Sequence, residues 1–151
     1  MEQKITPNLW FDHNAKEAVD FYVSVFPNSR VVNTSYYPED DVLQDFQKEF
    51  ANKVLTIDFD LNGQRFTAIN AGSEFKFNES VSFVIRCEDQ EEIDYYWERL
   101  SKVPESEQCG WCKDQFGLSW QVIPKNIDQL VMQGDGFAKM SNMKKIIIAD
   151  F

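Results

Sequence analysis

Apolar residues recur every three or four positions in two segments of the chain, which predicts two amphipathic helices. The first begins at Asn14, with Glu17 three residues on as in a capping box, and ends before Pro27. The second begins at Asp89 and has Glu92 at the same spacing. Their apolar stripes are Ala15, Ala18, Val19, Tyr22, Val25 and Phe26, and Ile93, Tyr96, Trp97 and Leu100.

Alternating apolar and polar residues predict strands around both helices. In the first half these are residues 5–11, 30–37, 54–61 and 64–71, with a hairpin turn at Asn62-Gly63. In the second half they are residues 81–87, 109–113 and 118–123, with a turn at 114–117. The two helices align without a gap, with Asn14 opposite Asp89. Each half also has the same predicted order: a strand, a helix and then the strands of a hairpin. We interpret this as an internal duplication, with chance similarity as the alternative.

Two further segments lie outside this pattern. Residues 38–52 are acidic and aromatic, and we expect a short helix or a flap at the mouth of a pocket. The tail from Asn126 is expected to hold one or two short helices. Its end, KKIIIADF, would form an edge strand or contact a partner.

Composition narrows the class of protein. A chain of 151 residues that is 43% hydrophobic can bury one sizeable core, so we predict a single domain over residues 1–151. The net charge of −10 repels phosphate backbones and anionic lipids, which excludes nucleic acid and membranes as partners. An odd number of cysteines, three, without a signal-peptide pattern or a membrane-length apolar run predicts reduced thiols and a cytoplasmic location.

Two groups of residues resemble a known family pattern: Ala15, Ala18, Phe21 and Tyr22 in the first helix, and Gly110, Trp111, Asp114, Phe116, Gly117, Trp120, Gln121 and Pro124 near the C-terminus. In this spacing they resemble the PhnB-like branch of the glyoxalase, bleomycin-resistance and vicinal oxygen chelate superfamily, over about residues 4–124. Members are often labelled 3-demethylubiquinone-9 3-methyltransferase.

The resemblance implies an α+β fold of two βαβββ modules, at about 4–72 and about 80–124, followed by a tail at 125–151. Their mixed sheets would curl into a cupped half-barrel with the helices outside. A small-molecule ligand would lie in the cup, and the protein would be a homodimer.

In active relatives the resemblance implies a divalent metal held by one ligand from the first strand and one from the last strand of each module. Here those places fall at Pro7, Asn70, Ser82 and Gln121. Proline has no ligating side chain, a serine hydroxyl is a weak ligand, and the amides are neutral, so Gln121 alone remains a plausible ligand. His13, the single histidine, falls in a turn. We therefore expect no metal ion.

No cofactor is expected either. S-adenosylmethionine would need a Gly-rich turn between a strand and a helix. The candidate turn, Gly134-Asp135-Gly136, follows a predicted helix in the tail.

Strand alternation also predicts the pocket lining. If Pro7 and Ser82 face the cup, so do Leu9, Phe11, Asn70, Arg86 and Gln121. Asp58 would point to the cup or its rim, with a solvated face as the alternative, and Trp111 and Trp120 would be core or pocket-wall aromatics. Arg86 would favour an anionic ligand. Alternatively, Arg86 reaches solvent or pairs with Asp58 or Asp60.

A redox function of the CGWC sequence is disfavoured. Cys109 and Cys112 lie in a predicted extended stretch, where residues i and i+3 are about 10 Å apart on opposite faces.

Three functions remain open. The first is a metal-free protein that binds an aromatic or anionic small molecule. The second is a metal-dependent lyase, isomerase or dioxygenase that uses Gln121 as a ligand. The third is a dimeric interaction module that uses the 38–52 segment.

Overall fold

The structure, a computed structural model, describes residues 2–151, which form two compact units. One unit ends at Lys76 and the other begins at Phe77. Each unit joins helices to a sheet with parallel and antiparallel pairs, which confirms the predicted α+β class. No helix in this part of the chain is long and apolar enough to cross a membrane.

The first unit has the order βαβββ that the resemblance implies. Its elements are β1 (Asn8–Phe11), α1 (Ala15–Val25), β2 (Arg30–Tyr36), β3 (Val54–Leu61) and β4 (Gln64–Asn70). The sheet order is β1-β4-β3-β2, with β1 parallel to β4 and the other pairs antiparallel. As predicted, Asn62 and Gly63 turn the hairpin, and both have the positive φ of such a turn (48° and 86°).

Helix α1 covers one face of this sheet. The ring of Tyr22 in α1 stacks on Phe59 of β3, with centroids 6.5 Å apart. Register places Phe59 beside Phe66, and places Leu9 and Phe11 beside Ala68 and Asn70, on the same face. That face is the buried core of the unit, because its side chains alternate with more exposed ones along each strand.

The second unit contains β5 (Ser82–Cys87), α2 (Gln90–Leu100), β6 (Trp111–Lys113), β7 (Ser119–Pro124), α3 (Ile127–Met132) and α4 (Gly136–Ser141). The sheet order is β5-β7-β6, with β5 parallel to β7. Within residues 77–151 this sheet has three strands, so the expected second βαβββ module is βαββ. The length of the connection after the helix explains the difference. In the first unit, residues 26–53 join α1 to β3 and are long enough to contain β2. In the second unit, the shorter segment 101–110 joins α2 to β6 and includes a 3-10 turn.

The C-terminal tail packs within the second unit, and the expectation of an edge strand at its end is wrong. Ile146 is completely buried, and the last residues form a 3-10 turn at Ile148–Asp150. Gln90 at the start of α2 donates to the carbonyl of Ile146 (3.0 Å) and accepts from the N–H of Ile148 (2.8 Å). These bonds use backbone groups that an edge strand would need for pairing.

Candidate functional site

A cavity of about 580 Å³ lies in the first unit, against the sheet face opposite α1. Trp10 and Ile69, neighbours in the β1–β4 register, belong to that face. Residues 38–52, here called the flap, contain two 3-10 helices, Asp40–Val42 and Asp45–Phe50, and the second of these contributes to another wall. The cavity is lined by Trp10, Tyr37, Pro38, Leu43, Phe46, Gln47, Glu49, Phe50, Leu55, Ile69, Ala71, Gly72, Ser73 and Glu74.

Two aromatic side chains of the cavity have their polar groups bound to the backbone. The indole N–H of Trp10 donates to the carbonyl of Gly72 (2.9 Å), and the hydroxyl of Tyr37 donates to the carbonyl of Asn70 (2.6 Å). Burial raises the pKa of Tyr37, so the phenol stays neutral at physiological pH. Both residues therefore offer the cavity mainly their ring surfaces.

A stack of three rings anchors the flap. Phe50, only 3% exposed, stacks on Tyr37 (5.1 Å between centroids) and on His13 (4.6 Å). His13 Nδ1 lies 2.6 Å from Asp12 Oδ1, and its Nε2 lies 3.8 Å from Glu49 Oε2. His13 thus lies in the predicted turn, where it supports the flap.

The structure corrects the predicted faces of β1: the positions expected to face the pocket face the helix, and their neighbours face the pocket. Leu9 and Phe11 are 5% and 3% exposed and face α1, on the opposite side of the sheet from the cavity. Residues 12–14 connect β1 to α1, whereas residues 88–89 alone connect β5 to α2. The extra residue in the first unit fits the left-handed φ of His13 (+63°). An ungapped alignment of the helices therefore puts the two first strands out of phase.

Asn70, another predicted pocket residue, faces α1 and holds that helix in place. Its Oδ1 accepts from the N–H of Ala15 (3.0 Å), and its Nδ2 donates to the carbonyl of Val54 (3.2 Å). Asn14, the expected cap of α1, makes no side-chain capping bond. Asn70 and Ala15 are far apart in the sequence and meet only in the folded chain. Spacing along the sequence therefore could not predict that Asn70 caps the helix.

The carboxylates of β3 lie on the sheet face opposite α1, as the sequence pattern allowed, but do not line the cavity. Asp58 accepts from the hydroxyl of Thr67 (2.7 Å). Asp60 accepts from Arg65 Nε (2.5 Å) and Arg30 Nε (3.4 Å). The hydrogen bond from Arg65 lowers the pKa of Asp60. These contacts give both carboxylates a structural role in their own sheet.

In the second unit the predicted residues separate onto two faces. Cys87 is completely buried and marks the face against α2. Burial, and then the charges of Glu92 and Asp89, raise the pKa of its thiol to about 12. Ser82, Arg86, Gln121 and Trp111 lie on the other face by register, and Arg86 is exposed.

Trp120 lies on the α2 face, only 3% exposed, so it is a core residue and not a pocket wall. Its indole N–H donates to Asp114 Oδ2 (2.9 Å). Asp114 Oδ1 accepts from the N–H groups of Phe116 (2.8 Å) and Leu118 (3.1 Å) in the turn between β6 and β7. The motif that carries the resemblance is therefore a structural unit.

The places expected to hold a metal do not fit a divalent cation. Gln121 Nε2 donates to Ser82 Oγ (2.9 Å), so the serine hydroxyl oxygen already accepts a hydrogen bond, and both groups are neutral. Asn70 is engaged with α1, and the carbonyl of Pro7 accepts from the N–H of Thr67. Among residues 2–151 no group of three His, Cys, Asp or Glu side chains is close enough to hold a metal ion.

The CGWC cysteines differ from the predicted extended stretch. Cys109 lies in a turn with a φ of +51°, and β6 begins only at Trp111. Burial raises the pKa of Cys112 to about 12, so its thiol is protonated at neutral pH. All three cysteines are free, and the buried thiol of Cys112 is a poor nucleophile for disulfide exchange.

Comparisons with known proteins agree with the fold. The family described as 3-demethylubiquinone-9 3-methyltransferase matches residues 3–123. The structure of a PhnB protein from Bacillus cereus, described as a 3-demethylubiquinone-9 3-methyltransferase, is 34% identical. The match covers 80% of this chain and 99% of that chain, with a TM-score of 0.64. No curated protein matches the chain.

More distant structures share the fold alone. The fosfomycin resistance protein FosX from Listeria monocytogenes is 16% identical over 85% of this chain and 96% of its own, with a TM-score of 0.53. A mutant of FosX complexed with Mn(II) and 1S,2S-dihydroxypropylphosphonic acid is 17% identical over 81% of this chain and 92% of its own, with a TM-score of 0.51.

Proposed function

The chain belongs to the 3-demethylubiquinone-9 3-methyltransferase family, the PhnB-like branch of the glyoxalase and vicinal oxygen chelate superfamily, and from this premise we propose that it binds a small apolar or aromatic molecule without a metal ion. The site is the flap-covered cavity of the first unit. Its volume of about 580 Å³ and its ring-lined walls carry the proposal. Small-molecule sites have such volumes and such apolar linings.

The absence of a metal from the proposal follows from the side chains at the expected places. Asn70 and Ser82 are engaged in hydrogen bonds that serve the fold, and Pro7 has no ligating group. We expect elemental analysis of protein purified without chelators to find no stoichiometric metal. One tightly held Ni, Zn, Mn or Fe per chain that is lost in Gln121→Ala would contradict this and favour the metal-dependent enzyme.

Methyl transfer from S-adenosylmethionine is not part of the proposal. The candidate turn at Gly134 joins α3 to α4, two helices of six residues each. A nucleotide-like cofactor is typically held where a Gly-rich turn links a strand to a longer helix. The residues of this turn therefore do not fit that cofactor.

Ligand binding is tested by filling the cavity. Ala71→Trp places a large ring among the lining residues, whereas Ala138→Trp places the same ring on an exposed position of α4. We screen the wild-type chain against aromatic and apolar compounds by thermal shift and calorimetry, and expect hits that Ala71→Trp abolishes and Ala138→Trp retains. Hits that survive in a folded Ala71→Trp variant would place binding elsewhere.

Homodimerisation and a cytoplasmic location belong to the same proposal. The edge strand β2 exposes Val31, Val32 and Tyr36, which supports a contact with a second copy. Three free thiols suit a reducing compartment. Sedimentation at equilibrium measures the mass in solution, and a monomer at all concentrations would remove the dimer from the proposal.

A further inference from the structure

The charged side chains in the cavity wall are all acidic. Glu49 and Glu74 are the carboxylates among the lining residues, and no lysine or arginine belongs to the described lining. The flap contains five carboxylates, Glu49 among them, and one lysine, Lys48, which lies 3.6 Å from Asp45. The local potential is therefore negative and attracts cations.

Four aromatic rings line the same space, those of Trp10, Tyr37, Phe46 and Phe50. Because Phe50 is stacked on both Tyr37 and His13, the rings that can present a face to a ligand are those of Trp10, Tyr37 and Phe46. The face of an aromatic ring carries negative partial charge and attracts a cation that lies above it. A quaternary ammonium group suits such walls, because it has no N–H donor that needs a hydrogen-bond acceptor. Clusters of aromatic rings recognise this group in other proteins.

An anionic ligand is disfavoured by the same contacts. It would need donors, but the N–H of Trp10 and the O–H of Tyr37 already donate to the carbonyls of Gly72 and Asn70. It would also lie near Glu49 and Glu74. A purely neutral molecule would be compatible with the rings, but would gain nothing from the two carboxylates.

We propose that this cavity selects a small organic cation of the quaternary ammonium class over neutral and anionic molecules of the same shape. This inference rests on the proposed function, since it names the class of ligand for the same site. The expected anionic ligand, which depended on Arg86, is replaced by a cation.

The experiment compares three probes of matched shape by calorimetry: choline, its uncharged carbon isostere 3,3-dimethylbutanol, and the anion 3,3-dimethylbutanoate. We expect choline to bind about tenfold more tightly than the neutral probe. The double variant Glu49→Gln and Glu74→Gln should remove most of that preference. Asp128→Asn, which removes an exposed carboxylate of α3 outside both the flap and the lining, should retain it.

A ring variant provides a second test. Phe46 is 68% exposed, so Phe46→Leu should fold, keeping the apolar contact but losing the ring face. We expect it to weaken choline more than the neutral probe.

The outcomes separate the two proposals. If the neutral probe or the anion binds as tightly as choline, the cation inference is wrong while ligand binding in the cavity stands. The same holds if the glutamine variants leave the preference unchanged. If no probe binds, and the compound screen also finds no ligand whose binding is abolished by Ala71→Trp, both proposals fail.

Discussion

At the scale of single residues, a polar side chain in this protein has a different role according to the sheet face on which it lies. Asn70 faces α1 and binds the first N–H of that helix, whereas Asp58, on the opposite face, accepts from the hydroxyl of Thr67 within the sheet. An amide that is 7% exposed and makes two hydrogen bonds is costly to remove, because its partners lose their bonds in a buried setting. Residue type alone would have assigned Asn70 and Gln121 to the same function.

The two asparagines near the start of α1 test this assignment. Asn70→Ala should lower the free energy of unfolding by about 1–3 kcal/mol, because it leaves the Ala15 N–H and the Val54 carbonyl unpaired. Asn14→Ala should change it by less than about 0.5 kcal/mol, because its side chain makes no capping bond. Chemical denaturation measures both. An equal loss in the two variants would mean that Asn14 caps the helix.

At the scale of elements, the β6–β7 hairpin shows what the family motif does. Asp114 binds two backbone N–H groups of the turn and the indole of Trp120. Gly110 lets the tail approach because it has no Cβ, and its N–H donates to the carbonyl of Lys144 (2.8 Å). A motif that identifies the family can thus be retained for folding and not for chemistry.

Two glycines of this motif allow steric crowding to be separated from backbone strain. Both have positive φ, +85° at Gly110 and +89° at Gly117. A Cβ at Gly110 would lie 2.9 Å from the Val122 carbonyl oxygen and 3.1 Å from Ile146 Cγ1, whereas at Gly117 nothing lies within 4 Å. We expect Gly117→Ala to cost about 1–2 kcal/mol and Gly110→Ala to cost clearly more. Similar losses in thermal unfolding would show that β7 and the tail both yield to the added methyl group.

At the scale of the whole molecule, ionisable groups limit stability at both ends of the pH range. The pKa of Asp60 is lowered by its hydrogen bond from Arg65, and that of Asp94 by its bond from Lys145. At the other end, burial raises the pKa of Cys112 and of Tyr96 to about 12. The folded state therefore favours charged carboxylates and neutral thiol and phenol groups.

The free energy of unfolding should consequently have a plateau near neutral pH. Lowered carboxyl pKa values stabilise the fold above the ordinary value of 3.8, and this stabilisation is lost as the pH falls through the folded-state value. Raised pKa values act in the opposite sense: stability is lost as the pH rises above 9.0, the ordinary value of Cys112.

Denaturant unfolding at a series of pH values checks both limbs. Asp60→Asn should flatten the acid limb, and Cys112→Ala the alkaline limb. Asp128→Asn, at an exposed position of α3, serves as the control. An acid limb that is identical in Asp60→Asn and the wild-type chain would contradict the role of the Arg65 contact.

The sequence by itself determined the elements whose signals are local. β3 spans the predicted residues 54–61, Asn62-Gly63 turns the hairpin, and Asp89 caps α2 by accepting from the N–H of Glu92 (2.9 Å). These features depend on residues that are near neighbours in the chain, so periodicity and turn chemistry are sufficient to find them.

Only the tertiary structure decided which faces and which side chains form the candidate site. One extra residue before α1 reverses the faces of β1, so Leu9 and Phe11 lie under the helix, and Trp10 lines the cavity in their place. The flap contributes Phe46 and Phe50, which the sequence placed near a pocket mouth without identifying them as its wall. Strand alternation has a period of two, so a single residue in a connection exchanges the faces, and only the packed fold fixes which face the helix covers.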